Sequence, residues 1–402
     1  MCVRSLIRDM VRELRDKSLL VISSGFPDES NMHYGGIFVK EQLKYLKDYL
    51  KEVVVIAPVP QTFGFYKFDK LCKNYEFDNV EVYFPRFLYA PLSYFRNRQG
   101  GNQFKVVDRL IKKEKIDFDL IHAHFTWPSG YVGIKLKEKY NVPFVVTAHG
   151  YDIYDLPFRD EEWRKKIEYV LNSANYVITV SNSNLEYIKK LDVKTPMEVI
   201  PNGFRPDLFY PKNLEECKKI LELPSDKKII LTVGNLVEIK GHKYLIEAMN
   251  EVVKHRKDVL CIMIGSGKSK NKLEKQIKKL ELEDYVKLVG GKPHDKIPIW
   301  MNACDLFVLP SLSEGNPTVM FECFGCGKPF IGTKVGGIAE IITSEDYGFL
   351  VEPANPEELA ERILFALDKR WNYNEIRKYA ERFTWENIAK EVAKVYLRIR
   401  GS

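Results

Sequence analysis

The run DLFVLPSLSEGNPTVMFECFGCGKPFIGTK, Asp305 to Lys334, reads as a strand, a loop, a helix and a second strand in quick succession. LFVL and PFIG are apolar without alternation. Both faces of each strand should therefore be buried, the mark of a parallel sheet covered by helices. Between them Pro317 fits the first position of a helix and Asn316 the cap before it. The backbone amides of Thr318, Val319 and Met320 would then lack helical acceptors, and with the helix dipole they favour an anion or a set of hydroxyls. Glu314 stands on the loop just outside. Glu322 lies inside the helix, about 7 Å along it.

Working outward, the same alternation recurs along the chain. Apolar runs LLVISS, EVVVIAP, VEVYFP, DLIHAHF, PFVVTAHG and ANYVITVS fill the first half, with helical stretches such as IFVKEQLKYLKDYL and EEWRKKIEYVLNSA among them. After VIPNGFRPDLFYPKNLEE, rich in Pro, Asn and Gly, it restarts with KIILTVGN, VLCIMIGSG, YVKLVGG, DLFVLPS, KPFIGTK and GFLVEP. Two doubly wound α/β domains are expected. The first spans 1–205 and the second 212–383, with a break near Arg205–Pro211. A last helix within 384–402, apolar at Ile388, Val392, Val395, Tyr396 and Ile399, should pack back towards the first domain. The opening MCVRSLIRDMVRELRDKS has helical apolar spacing, with Arg4, Arg8, Arg12 and Arg15 on the other face. It suits packing on its own domain or lying on an anionic membrane.

Two common nucleotide sites fail on spacing. SGFPDESNMHYGGIF is too long for the tight G-x-G-x-x-G turn, and the second strand ends in IAPVP where an acid should read a ribose. IMIGSGKS has Ile262 where a P-loop needs its first glycine.

Composition is that of a globular chain of 402 residues, 45% hydrophobic and 29% charged. Lys+Arg exceed Asp+Glu by 62 to 55, a mild +7 that suits phosphate-bearing ligands. No basic cluster with interleaved aromatics marks a nucleic-acid surface, and no apolar run approaches the ~20 residues of a membrane span. Seven scattered cysteines without a signal-peptide pattern ahead of them lead to the expectation of a reducing cytoplasm. Cys323 and Cys326 read as two small buried residues on a packed helix.

Two acids flanking a helix start can grip an elongated ligand at two points. A nucleotide sugar offers sugar hydroxyls at one end, a ribose diol at the other and a diphosphate between. On spacing alone the pattern equally fits a capped helix with two solvated acids.

The Pro310–Pro329 stretch, with GTKVGGIAEII and GFLVEP after it, resembles the E-x7-E region of retaining glycosyltransferases of family 4. VIPNGF is similar to the segment before that family's interdomain linker, and VGNLVEIKGHKYLIEA to the phosphate-binding loop of its second domain. IHAHF and TAHGYDI are similar to its histidine motifs, and YGGIFVKEQ to its glycine loop. The likeness covers nearly all the chain beyond the first 18 residues and is nearest to members that build teichuronic-acid-like or capsular polymers. It implies the GT-B fold, two Rossmann-like domains facing each other across a cleft. It also implies a nucleotide diphosphate sugar as donor, UDP by family habit, and a hydroxyl acceptor on a lipid-linked or growing glycan. Neither a metal nor another cofactor is expected, since no D-x-D motif stands out.

By that resemblance Glu322 would hold the donor ribose, and Glu314 the sugar hydroxyls near C3. Backbone amides of Asn316, Thr318 and Val319, around Pro317, would touch sugar and phosphate. Lys240 would neutralise the diphosphate, and Asn235, Gly265 and Lys292 would complete the donor site. His149 would meet the donor sugar at the reaction centre, Gly36 would let backbone approach the donor phosphates, and His124 and Asp152 would stand on the acceptor side. His122 reads as structural. One departure matters: the family usually has arginine where this chain has Asn235, and an amide lacks both the charge and the fork of a guanidinium. That keeps open a non-catalytic nucleotide-sugar-binding protein beside the transferase, with a nucleotide-sugar epimerase as a further enzyme alternative. The aromatics and arginines of YFPRFLYAPLSYFRNR fit either a packed loop or a peripheral contact with an anionic membrane on its cytoplasmic face.

Overall fold

The computed structural model describes residues 13–31, 35–61, 72–89 and 93–399, without the side chains of 93–97. Most of the expected N-terminal helix, Cys2, and the side chains of Tyr94, Phe95 and Arg96 lie outside the described residues. The chain divides into two units, residues 1–202 with 385–402, and residues 203–384.

The strands of the first unit are β1 (Ser18–Ser23), β2 (Glu52–Ile56), β3 (Val59–Gln61), β4 (Tyr75–Phe77), β5 (Val80–Tyr83), β6 (Arg86–Leu88), β7 (Leu120–His124), β8 (Phe144–Ala148), β9 (Tyr176–Thr179) and β10 (Met197–Val199). Eight of them form one sheet in the order β10-β9-β8-β7-β1-β2-β5-β4, and β3 pairs with β6 apart from it. Every pairing in the large sheet is parallel except β4 with β5. Successive residues of a strand point to opposite faces, and in β1 both faces are buried. Leu19 and Val21 enter one core, Leu20 and Ile22 the other. Helix Trp385–Arg398 covers the first of these cores with Trp385, Ile388, Val392, Val395 and Tyr396.

The second unit holds β11 (Lys228–Val233), β12 (Val259–Ile264), β13 (Val286–Gly290), β14 (Leu306–Leu309), β15 (Phe330–Thr333) and β16 (Gly348–Val351). All are parallel, in the order β13-β12-β11-β14-β15-β16. It too has a core on each face, Ile230 serving one and Ile229 and Leu231 the other. The chain enters this unit between Asn202 and Gly203, not at 205–211. Phe204 and Phe209 are the reason: both are buried in the second unit's core, and the Phe204 amide donates to the Phe383 carbonyl at 3.0 Å. Among the described residues no helix is long and apolar enough to cross a membrane.

In both sheets the strand order reverses beside the first strand. β1 lies between β2 and β7, and β11 between β12 and β14. Ligands of open α/β sheets bind outside the carboxyl ends of strands at such a reversal. The loops after β1, β7, β11 and β14 are therefore where the chemistry belongs.

Candidate active site

In the second unit the loop leaving β11 passes Gly234 and exposed Asn235 and enters a short turn, Glu238–Lys240. Gly241 follows with φ +65°, and a Cβ there would sit 1.9 Å from the Pro310 carbonyl oxygen. Only glycine lets this turn lie so close to the loop after β14, where the Leu312 amide donates to the Ile239 carbonyl at 2.8 Å. The approach brings Lys240 Nζ to 2.6 Å from Glu314 Oε1. Ser311 Oγ donates to the same oxygen at 2.6 Å, and Glu314 is only 8% exposed.

The helix beyond it is Thr318–Gly325. Pro317 is the residue before the helix, with ψ 119°, instead of its first member, and Asn316 stands one place further out. The Pro317 carbonyl accepts from the Met320 amide at 3.2 Å, so Met320 is not among the open donors expected there. Those of Thr318 and Val319 begin the helix without an intrahelical acceptor.

One turn into the helix, Glu322 is 7% exposed between fully buried Phe321 and Cys323. His294 Nε2 lies 2.7 Å from its Oε1. Nothing in the sequence marked this histidine, which stands four residues beyond the end of β13 and opens the turn His294–Lys296. Lys292 was named instead, and its ammonium lies 5.8 Å from the centroid of the Trp300 ring. Gly265 follows β12 and donates to the Gly290 carbonyl at 3.1 Å. Asn235, Gly265 and Lys292 thus stand at the same end of the sheet as Lys240, Glu314 and Glu322.

In the first unit β7 and β8 deliver His124 and His149 side by side, Nδ1 of the former 3.0 Å from Nε2 of the latter. The His149 ring lies between Phe38 and Phe125, 4.7 Å from each by centroids. Burial is the main cause that lowers the pKa of His149 to about 3, with the charge of His122 adding to it. Burial also pushes His124 well below its ordinary value and His122 to about 3. All three are neutral near pH 7, so each donates from a single ring nitrogen. His122 bonds the Tyr396 hydroxyl and the Thr147 hydroxyl, both at 2.7 Å, inside the core.

Asp152 is fully buried, and burial raises its pKa against the pull of the amides around it. Its Oδ2 accepts from the Thr126 amide at 2.8 Å, and its Oδ1 from those of His149 at 3.1 Å and Gly150 at 2.8 Å. The carboxylate expected on the acceptor side is instead turned inward, where it ties the loop after β7 to the loop after β8. His124, 1% exposed, is likewise enclosed. Gly36 precedes helix Ile37–Leu46 with φ +70°, and a Cβ there would lie 1.9 Å from the Gly25 carbonyl oxygen.

Two Rossmann-like sheets with their polar loops at the strand reversals define the GT-B class. Family models agree: residues 35–208 match glycosyltransferase family 4, and residues 213–383 match glycosyl transferases group 1. An uncharacterised glycosyltransferase of Methanocaldococcus jannaschii is 33% identical over 306 residues, covering 73% of this chain and 79% of that one. TuaC of Bacillus subtilis, named as a teichuronic acid biosynthesis glycosyltransferase, is 30% identical over 356 residues, 86% and 88% of the two chains. Sucrose-phosphate synthase from Thermosynechococcus elongatus superposes with a TM-score of 0.80 at 22% identity, over 96% of this chain and 99% of that one. Anabaena Alr3699/HepE, solved in complex with UDP-glucose, gives 0.74 at 22% identity, over 95% and 100%. At such identity these structures establish the fold. The chain belongs to glycosyltransferase family 4.

Proposed function

We propose that the protein is a retaining hexosyltransferase that moves a sugar from a UDP-sugar to a hydroxyl of a lipid-linked or growing glycan. The observation that carries this is the Lys240–Glu314 contact beside the start of helix Thr318–Gly325, with Glu322 one turn further on. Glu314 then matches the sugar, Lys240 and the two open amides the diphosphate, and Glu322 the ribose. In their contact the cation and the first acid neutralise each other. On binding, the diphosphate takes Lys240 and the sugar hydroxyls take Glu314. The bond from the sugar's anomeric carbon to the phosphate oxygen breaks, the acceptor oxygen bonds that carbon on the same face, and the acceptor proton passes to the departing phosphate. Lys240 and the amides of Thr318 and Val319 stabilise the charge developing there. No step needs a metal, and turnover should persist in EDTA.

The name of TuaC supports a polysaccharide acceptor, and the UDP-glucose complex of the Anabaena protein supports the donor class. A second reading, nucleotide-sugar binding without turnover, is favoured by Asn235, which is exposed where the family usually has arginine.

The test is a thermal shift with UDP, GDP, ADP and their sugar conjugates. A ligand that binds only the folded state raises stability by ~2.7 kcal/mol at a hundredfold excess over Kd. A rise for UDP and UDP-sugars, lost in Glu322→Ala, supports the donor site, and no rise with any nucleotide removes it. Release of UDP only when an acceptor is added separates transfer from binding alone and from epimerisation.

A further inference from the structure

We propose that His294 is the positioning residue of the ribose site. It holds the Glu322 carboxylate in one orientation, so that one oxygen is kept for the diol of the bound nucleotide. This rests on the donor-site reading above and adds to it a residue from a different loop.

Glu322 is an acid in the interior of an apolar helix, beside Phe321, Cys323 and Phe324, none of which has exposed surface. A carboxylate in such surroundings needs a charged or hydrogen-bonding partner. A carboxylate oxygen accepts, so His294 Nε2 carries the proton and donates to Oε1 at 2.7 Å. Oε2 is the oxygen left to receive a hydroxyl. The neutral imidazole suffices for this, and no proton moves.

His294 is itself fixed. Pro293 precedes it, it opens the turn His294–Lys296, and its ring lies 5.3 Å by centroids from that of buried Phe209. The Phe209 carbonyl accepts from Arg377 Nη1 at 2.9 Å, and the same nitrogen donates to the Gly325 carbonyl at 2.7 Å. Gly325 ends the helix that carries Glu322. The contacts close into a ring, from Phe209 to His294 to Glu322, along the helix to Gly325, and through Arg377 back to Phe209. Glutamate has three side-chain torsions to lose on binding. With its Oε1 held by His294, Glu322 keeps less of that freedom to lose, so the ribose meets a pre-set acceptor. A histidine that merely satisfied a buried acid would affect stability alone. One that sets the acid for a diol affects discrimination between nucleotides with and without that diol.

The experiment is titration calorimetry of the full chain with UDP, GDP and ADP and their 2′,3′-dideoxy counterparts. The wild type should prefer the ribose form of the nucleotide it binds by about tenfold or more, the worth of a hydrogen bond to a charged group. His294→Ala should lose most of that ratio while its affinity for the dideoxy form stays within about twofold of wild type. His294→Gln, which keeps an N–H donor, should recover part of it. Glu322→Ala should abolish the ratio, and adding His294→Ala to it should change nothing further. A folded His294→Ala protein with the wild-type ratio overturns the proposal and leaves the donor site standing. If that variant does not fold, His294→Phe carries the same test. A wild type that binds none of the nucleotides, or binds ribose and dideoxy forms alike, overturns the donor-site reading and this proposal with it.

Discussion

Lys240 and Glu314 hold each other at 2.6 Å, and on the donor-site reading a diphosphate competes with Glu314 for the ammonium. Removing either partner should therefore have unequal effects. Glu314→Ala frees Lys240 for the diphosphate, so UDP affinity should stay within a few fold while turnover falls about a hundredfold or more, the scale for one lost stabilising group. Lys240→Ala should weaken UDP itself. Equal losses in both properties for both variants would contradict the division of labour. Asn235→Arg restores the charge that the family usually places there and should raise turnover at unchanged thermal stability. The histidines supply a pH signature. His122 titrates near 3 when folded against an ordinary 6.5, so the unfolded chain binds its proton more tightly. The stabilisation is complete above pH 6.5 and is lost as pH falls from there towards 3, by up to about 1.4 kcal/mol per pH unit for one such group. Melting temperatures should be level from pH 7 to 8 and fall below 6.5, less steeply in His122→Gln.

Among the elements, the loop after β11 is the most sensitive to a single methyl group. Gly241→Ala places a Cβ against the Pro310 carbonyl in a left-handed backbone conformation, and so pushes Lys240 away from Glu314. A stability loss of at least about 1 kcal/mol is expected from the backbone alone. Weaker UDP binding should come with it, read by thermal shift and calorimetry on the same sample. The long strands of both sheets were legible because burial on both faces leaves an unbroken apolar signature, as in VLCIMI of β12 and LLVI of β1. β3, β4, β6 and β10 were not, being three residues each and partly exposed. The site divides in the same way. Glu314, Glu322 and Lys240 stood out by spacing and motif, which are properties of one stretch. His294 meets Glu322 across 28 residues of sequence, a contact that only the folded sheet creates. Asp152 was placed on the acceptor side by resemblance alone; that three backbone amides donate to its carboxylate is again a matter of the fold.

For the whole molecule, the division into units does not follow chain order. The break expected at 205–211 was read from a Pro- and Asn-rich composition, which marks irregular backbone but not which core its aromatic residues enter. Phe204 and Phe209 enter the second unit's core, and helix Trp385–Arg398 closes a core of the first. That helix also supplies the Tyr396 hydroxyl that bonds His122. A chain ended at Thr384 should therefore lose its first unit and keep its second. Limited proteolysis should degrade residues 1–202 while a fragment near 203–384 survives and, on the donor-site reading, still binds nucleotide. Survival of the first unit would show that its core does not need the last helix.

The placement of that helix sets a timetable for biosynthesis. A ribosome delivers Trp385–Arg398 only after all of the second unit, so the half of the protein made first is finished last. At ~5–20 residues per second, the nascent first unit waits on the order of ten seconds or more with apolar surface uncovered. Its partner completes its own sheet in the meantime. Such a protein invites chaperone attention to its amino-terminal half, and slowing translation through 203–384 should lengthen that exposure.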